Sequence, residues 1–267
     1  MSATKEATQV QDYVDVNGVH TYYEIQGVGD PVVMLHGGFC TIETFGAQTT
    51  ALAEQYRVYL PERRGHGRTA DVDGPITYEN MAQDTIAFMD ELGISNAHLV
   101  GWSDGGNVGL EVALARPDLV KKLVFMGSVA HMDGYRPEML KQLLNLSADT
   151  LPPMLRGAYD ALSPDGPEHF ATIVEKLAAT WRVSPAHELS DLEGLRAPTL
   201  VLLGDDDVIS FEHVGALAKA IPDVQVAVVP GTDHVLLFEK PDLVNRIIID
   251  FLADEQTPKM FAERHGE

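Results

Sequence analysis

The sequence predicts an α/β chain built on a mostly parallel eight-stranded sheet flanked by helices, with a helical cap inserted late in the order. Three features predict it. Short runs of Val, Leu and Ile recur, each followed by a longer segment with helical spacing, and such alternation builds βα units around a parallel sheet. Several of the runs are apolar throughout, as strands covered on both faces must be. From about His131 to Arg196 the alternation stops, and a stretch of that length cannot be a structureless loop in a compact domain. Rich in Leu, Met, Pro and scattered aromatics, it reads as a small helical subdomain. The chain then divides into a core over 1–130, a cap over 131–196 and a second part of the core over 197–267.

The elements follow in order. Residues 12–26 alternate on either side of Asn17-Gly18, a dipeptide suited to a two-residue hairpin turn with positive φ, so an antiparallel hairpin opens the sheet. The apolar strands are Pro31–Leu35, Tyr56–Leu60, Ala97–Val100, Lys122–Met126, Pro198–Leu203 and Val224–Val229. Between them, Met81, Thr85, Phe88, Met89 and Leu92 fall at helical spacing over 78–92, and Gly93 ends that helix as a C-cap. A second helix runs from Asp104 to Arg116, where Pro117 stops it. The last two are placed over Phe211–Ala220 and Leu236–Leu252. The tail beyond Asp254 is polar and is expected to fray.

Composition limits the function. The chain has 267 residues, 19 Lys and Arg against 40 Asp and Glu, and a net charge of −21. Nucleic acid and anionic membranes are bound chiefly through Lys and Arg, so both are poor partners for it. Cys40 is the single cysteine, which precludes an internal disulfide and suits a reducing compartment. The first dozen residues carry no apolar run of signal-peptide length, and no stretch has the roughly 18 uninterrupted apolar residues of a membrane span. A cytoplasmic protein acting on a small molecule is expected, with a homodimer admitted by the sequence.

The sharpest local signal is Gly101-Trp102-Ser103-Asp104-Gly105, which follows an apolar run and opens a helix. A strand-to-helix turn so tight strains the serine backbone and leaves no room for side chains two residues away, hence the glycines. Serine is a weak nucleophile without a base in reach. His234, in Pro230-Gly231-Thr232-Asp233-His234 after the last strand, lies at the carboxyl edge of the sheet with Ser103, where groups that act on ligands gather. His20, His66, His98, His169, His187, His213 and His265 read as surface or structural. The base in turn needs a carboxylate to fix its tautomer. Gly204-Asp205-Asp206-Asp207 follows a strand at the same edge, with Asp207 preferred, Asp205 in reserve, and Asp133 able to reach from the neighbouring strand. Oxyanion donors are assigned to the amides of Gly38, in His36-Gly37-Gly38-Phe39, and Asp104, with His36 a hydrogen-bonding prop behind the loop. Phe39 and Trp102 are placed at the mouth of an apolar pocket. Cys40 reads as a buried, inert thiol. No spacing suggests a metal site, and no cofactor is expected.

Taken in order, strand-HGG, strand-GWSDGG, strand-GDDD and strand-PGTDH resemble the α/β-hydrolase superfamily, in its capped esterase, lactonase and cofactor-free haloperoxidase branch, over about residues 12–252. The segment Glu62-Arg63-Arg64-Gly65-His66-Gly67-Arg68-Thr69 resembles the family's Asp-x-Arg-Gly-x-Gly-x-Ser, with Glu62 and Thr69 departing from it in ways that touch only local turn geometry. The resemblance puts the triad acid at the fourth position of GDDD, Asp207, and an oxyanion amide at the residue after His-Gly, Gly38. Dehalogenases and epoxide hydrolases of this fold carry Asp at the elbow, so Ser103 implies acyl chemistry. The expected reaction is hydrolysis of a carboxylic ester through an acyl-serine, with activity falling at acid pH as His234 is protonated. A lactonase, a carbon–carbon bond hydrolase of dienoic acids, a perhydrolase-like haloperoxidase, an acyltransferase and a non-catalytic ligand receptor are the alternatives.

Overall fold

A computed structural model describes residues 9–151 and 153–253; the predicted frayed tail and His265 lie outside them. The strands are β1 (Val10–Val16), β2 (Val19–Gln26), β3 (Asp30–Leu35), β4 (Tyr56–Pro61), β5 (Ala97–Trp102), β6 (Val120–Met126), β7 (Thr199–Gly204) and β8 (Val224–Val229). They form one eight-stranded sheet in the order β1-β2-β4-β3-β5-β6-β7-β8. The opening hairpin closes as expected, Val16 facing Val19 across Asn17 and Gly18, both at positive φ. β2 pairs antiparallel with β4, and every pair from β4 to β8 is parallel.

Alternate side chains of each central strand enter opposite layers. Val33, Leu35, Leu99, Leu123 and Phe125 face one apolar cluster, which helices α2 (Tyr78–Glu91) and α3 (Asp104–Ala115) complete with Met81, Phe88 and Val112. Val32, Met34, Val100, Val124 and Met126 face the other, covered by Leu52 of α1 (Gly46–Leu52) and by Val244 and Ile248 near the chain's end. Burial on both faces is why these strands read as continuous apolar runs.

Between β6 and β7 the chain forms α4 (Pro137–Leu144), α5 (Pro153–Leu162) and α6 (Phe170–Trp181) with short 3-10 turns and, among the described residues, no strand of the sheet. Ile173, Val174 and Leu177 of α6 are buried in the first cluster. Asp71, in the loop after β4, accepts hydrogen bonds from His169 at 2.9 Å and Lys176 at 2.6 Å, fastening this segment to the sheet.

After β7 come α7 (Phe211–Ala220), α8 (Leu236–Glu239) and α9 (Pro241–Leu252). The single helix expected over 236–252 is thus two. Pro241 excludes Lys240 from helical dihedrals by the clash of its ring with the preceding residue, and Lys240 adopts φ −136° and ψ 59°. Among the described residues, no helix is long and apolar enough to cross a membrane.

The segment after β4 keeps its turn despite the two departures. Thr69 Oγ1 donates to the Glu62 carbonyl at 2.8 Å and accepts the Tyr22 N–H at 2.9 Å. The Glu62 carboxylate accepts the Arg68 N–H and guanidinium, while burial pushes its pKa up to about 7. Burial, and then the nearby Arg63 charge, hold His66 down to about 3. His66 is therefore neutral when folded and regains an ordinary value when unfolded. Its contribution to stability is complete above about pH 6.5 and is lost as the pH falls toward 3, at ~1.4 kcal/mol per pH unit. Glu62 works the other way between about pH 7 and 4.5, since its folded form holds the proton more tightly. Urea unfolding between pH 6 and 4 is expected to show His66→Gln flattening the acid slope by about that one-proton amount, and an unchanged slope would contradict it.

Candidate active site

β5 ends at Trp102 and α3 begins at Asp104, leaving Ser103 alone to turn the chain, with φ 55° and ψ −124°. A non-glycine residue there costs of order 1–3 kcal/mol, and its surroundings enforce it. A Cβ on Gly105 would lie 1.8 Å from the Leu35 carbonyl oxygen, and one on Gly101 2.3 Å from that of Gly105. Ser103 is pinned through its backbone, its N–H donating to Met126 at 2.8 Å and its carbonyl accepting the Ser128 hydroxyl at 2.8 Å. The hydroxyl itself stays free to work.

His234 sits after β8 with Nε2 3.1 Å from Ser103 Oγ and Nδ1 2.9 Å from Asp207 Oδ1. The carboxylate partner assigns the proton to Nδ1, so Nε2 is the acceptor for the serine hydroxyl. Trp102 Nε1 donates to the His234 carbonyl at 2.9 Å and its ring lies 5.4 Å from the imidazole, which fixes the loop against the elbow. Asp207 follows β7, is fully buried, and accepts the Val208 N–H at 2.7 Å on the oxygen that faces His234.

The other acids are occupied elsewhere. Asp205 accepts the Thr232 N–H at 3.1 Å and tethers the loop that carries His234; this bond, with help from the Gly231 N–H, holds its carboxyl below the usual range. Asp206 pairs with Arg136 at 2.9 Å. The Asp133 side chain is 87% exposed and lies beside His131, so the alternative of an acid from that strand is not realised.

The loop after β3 brings Gly38 against the elbow. A Cβ there would meet Trp181 at 2.5 Å and the Asp104 carboxylate at 2.6 Å, so only glycine lets the two segments approach this closely. Among the described residues the Gly38 N–H has no acceptor in the protein, and Asp104, as the first residue of α3, has no intrahelical acceptor for its own. His36 props the loop as expected, its Nδ1 2.8 Å from the Gly37 carbonyl and its Nε2 accepting the Arg63 N–H. Burial, reinforced by the Arg63 charge, holds it well below its ordinary pKa and hence neutral.

Three side chains escaped the sequence reading. The Asp104 carboxylate is buried and accepts the Tyr78 hydroxyl at 2.7 Å and Trp181 Nε1 at 3.0 Å. Burial raises its pKa, while Arg63 and these two donors pull it back. Tyr78 and Trp181 belong to helices remote in sequence, and nothing in their local pattern marks them apart from core aromatics.

Over Ser103 and His234 opens a cavity of about 960 Å³. Met139, Leu143, Leu146, Leu151 and Leu155 from the segment between β6 and β7 form much of its wall. Phe39 and Trp102 line it as buried residues. Cys40 also lines it, half-buried rather than buried as the sequence suggested, its thiol pushed up to about 11 by burial. Among the described residues no group of three or more His, Cys, Asp or Glu side chains could hold a metal.

Sheet order, elbow and cavity define an α/β hydrolase. The model of the alpha/beta hydrolase family matches residues 32–247, and the chain belongs to that family. It is 31% identical to 2-hydroxy-6-oxo-6-phenylhexa-2,4-dienoate hydrolase of Burkholderia cepacia, over 85% of this chain and 89% of that one. It is 30% identical to a candidate carbamate hydrolase of Caulobacter sp. (strain K31), over 88% and 96%. The enol-lactonase of Burkholderia xenovorans LB400 shares the fold, with a TM-score of 0.71 at 22% identity over 91% of this chain and 100% of that one. The protein is a hydrolase.

Proposed function

We propose that this hydrolase cleaves carboxylic esters of uncharged acids through an acyl-serine intermediate. The observation that carries the reading is the unbroken chain from Ser103 Oγ through His234 to Asp207, at 3.1 and 2.9 Å, opening into an apolar cavity. His234 Nε2 takes the proton of Ser103 as Oγ attacks the ester carbonyl, and Asp207 stabilises the imidazolium. The developing oxyanion meets the N–H groups of Gly38 and Asp104, each such donor being worth about 3 kcal/mol of transition-state stabilisation. The imidazolium protonates the departing alcohol, and water activated by the same His234 then releases the acid. Residues 131–196 act as the cap, supplying the acyl pocket with Phe39 and Trp102.

Charge favours an ester over a dienoate, the substrate named for the Burkholderia cepacia relative. Among the described residues lining the cavity, Lys141 supplies the one ammonium or guanidinium group, and it is exposed. A dienoate carboxylate, at the far end of its chain from the reacting 6-oxo carbon, would have only that exposed ammonium among the described lining residues to pair with.

The test is turnover of p-nitrophenyl acetate and butyrate by the purified protein, with fluorophosphonate labelling mapped by mass spectrometry. Turnover with one label on Ser103 is expected. Labelling with turnover of a dienoate or a carbamate and none of the esters would move the substrate class, and neither labelling nor turnover would overturn the reading.

A further inference from the structure

We propose that Arg63 is a positioning residue that strengthens the Gly38 oxyanion donor through the peptide group joining Gly37 to Gly38. The proposal rests on the reading of Gly38 as an oxyanion donor. Arg63 follows β4 and is 4% exposed. Its Nη2 donates to the Gly37 carbonyl oxygen at 3.0 Å, the oxygen that lies 2.8 Å from His36 Nδ1 and 3.3 Å from the Cys40 N–H. That carbonyl and the Gly38 N–H are two ends of one planar, conjugated amide. Donors at the oxygen draw electron density toward it and leave the N–H more positive, so hydrogen bonds through a peptide group reinforce one another.

A cationic donor does this more strongly than a neutral one. Among the described residues no carboxylate lies within ion-pairing distance of Arg63, and its Nε and Nη1 have no partner there. The opposite charge it feels most, Asp104, is itself held by Tyr78 and Trp181. The guanidinium field is therefore only partly cancelled where the oxyanion forms. His36 fits the same design, because a neutral imidazole with its proton on Nδ1 accepts the Arg63 N–H on Nε2 and donates to the shared oxygen.

The positive charge matters only when the substrate oxygen becomes negative, so Arg63 acts on the transition state and leaves ground-state binding nearly alone. Arg63→Met keeps the length of the side chain without its charge. Ester hydrolysis, inhibition by a trifluoromethyl ketone that forms a hemiketal oxyanion on serine, and the 15N resonance of the Gly38 amide are measured in wild type, Arg63→Met and Arg63→Lys. In Arg63→Met, kcat is expected to fall about 10- to 100-fold, short of the loss of a whole donor. KM should change little, affinity for the ketone should fall by the same factor as kcat/KM, and the Gly38 resonance should move upfield. Arg63→Lys, which keeps a cation near the site, should recover part of the loss. An active wild type with unchanged kcat and ketone affinity in Arg63→Met overturns the role of Arg63 alone. A wild type that is neither active nor inhibited overturns the ester-hydrolase reading beneath it and this inference together. If Arg63→Met does not fold, Arg63→Lys decides: an intermediate loss tracked by the ketone supports the role, and wild-type values overturn it.

Discussion

Ser103→Ala is expected to lower kcat on p-nitrophenyl esters by roughly 10⁶-fold, the scale on which a serine hydrolase loses its nucleophile. Fluorophosphonate labelling should vanish with it. The fold should survive, because the hydroxyl engages His234 while the backbone N–H and carbonyl hold the elbow. Alanine keeps the Cβ and bears the same positive φ, so the urea midpoint is expected to stay where it was. What remains should still exceed the rate in water, since the Gly38 and Asp104 amides and the cavity are untouched. Stopped turnover in a protein of unchanged stability assigns the loss to chemistry. Wild-type turnover by the variant would mean that hydrolysis runs through another group.

How much of this was readable in advance depended on whether the constraint was local. The elbow could be read because its requirements fall within five residues: a strained serine and glycines where a Cβ would strike the Leu35 or Gly105 carbonyl. The strands were readable because layers on both faces demand unbroken apolar runs. Helix α1 was not foreseen, because its inward face carries Gln48 and Thr49 beside a single leucine, with Gln48 satisfied by a hydrogen bond to the Leu237 carbonyl. The break at Lys240 is hidden in the sequence because the apolar period continues on either side of Pro241.

Side-chain partners set by tertiary packing left no trace of this kind. Trp181 meets Asp104 across 77 residues, through the orientation of α6 over the sheet. Arg63 stands in a segment that reads as a polar turn, and burial of a guanidinium is uncommon enough that the residue type alone argues for the surface. Both contact the backbone around the predicted oxyanion amides. Sequence patterns therefore located the reacting groups more readily than the groups that hold and polarise them. Asp207 is preferred over Asp205 and Asp133 in the sequence, a preference the family's fourth position of GDDD reinforces, and their different environments emerge once the loops are folded.

Asp207→Asn is expected to lower kcat by about 10⁴-fold while KM changes little, because it removes the charge that stabilises the imidazolium and, in one placement of the amide, reverses the imidazole's proton pattern. Oδ1 of Asp207 accepts from both His234 Nδ1 and the Val208 N–H. If the asparagine carbonyl keeps the Val208 bond, it can still accept from Nδ1, but its amide group then faces the Gly204 N–H where Oδ2 had accepted at 3.4 Å. If it rotates, the amide group confronts two donors, and the imidazole must shift its proton to Nε2, which can no longer take one from Ser103. Either placement also removes the negative charge that stabilises the imidazolium. The buried N–H left without an acceptor should cost ~1–3 kcal/mol of stability, so the variant should unfold at lower urea yet remain folded in buffer. Asp133→Asn, at a side chain 87% exposed, is expected to leave kcat at the wild-type value. The reverse outcome, a damaging Asp133→Asn beside an active Asp207→Asn, would mean that the imidazole takes its carboxylate from the neighbouring strand during turnover.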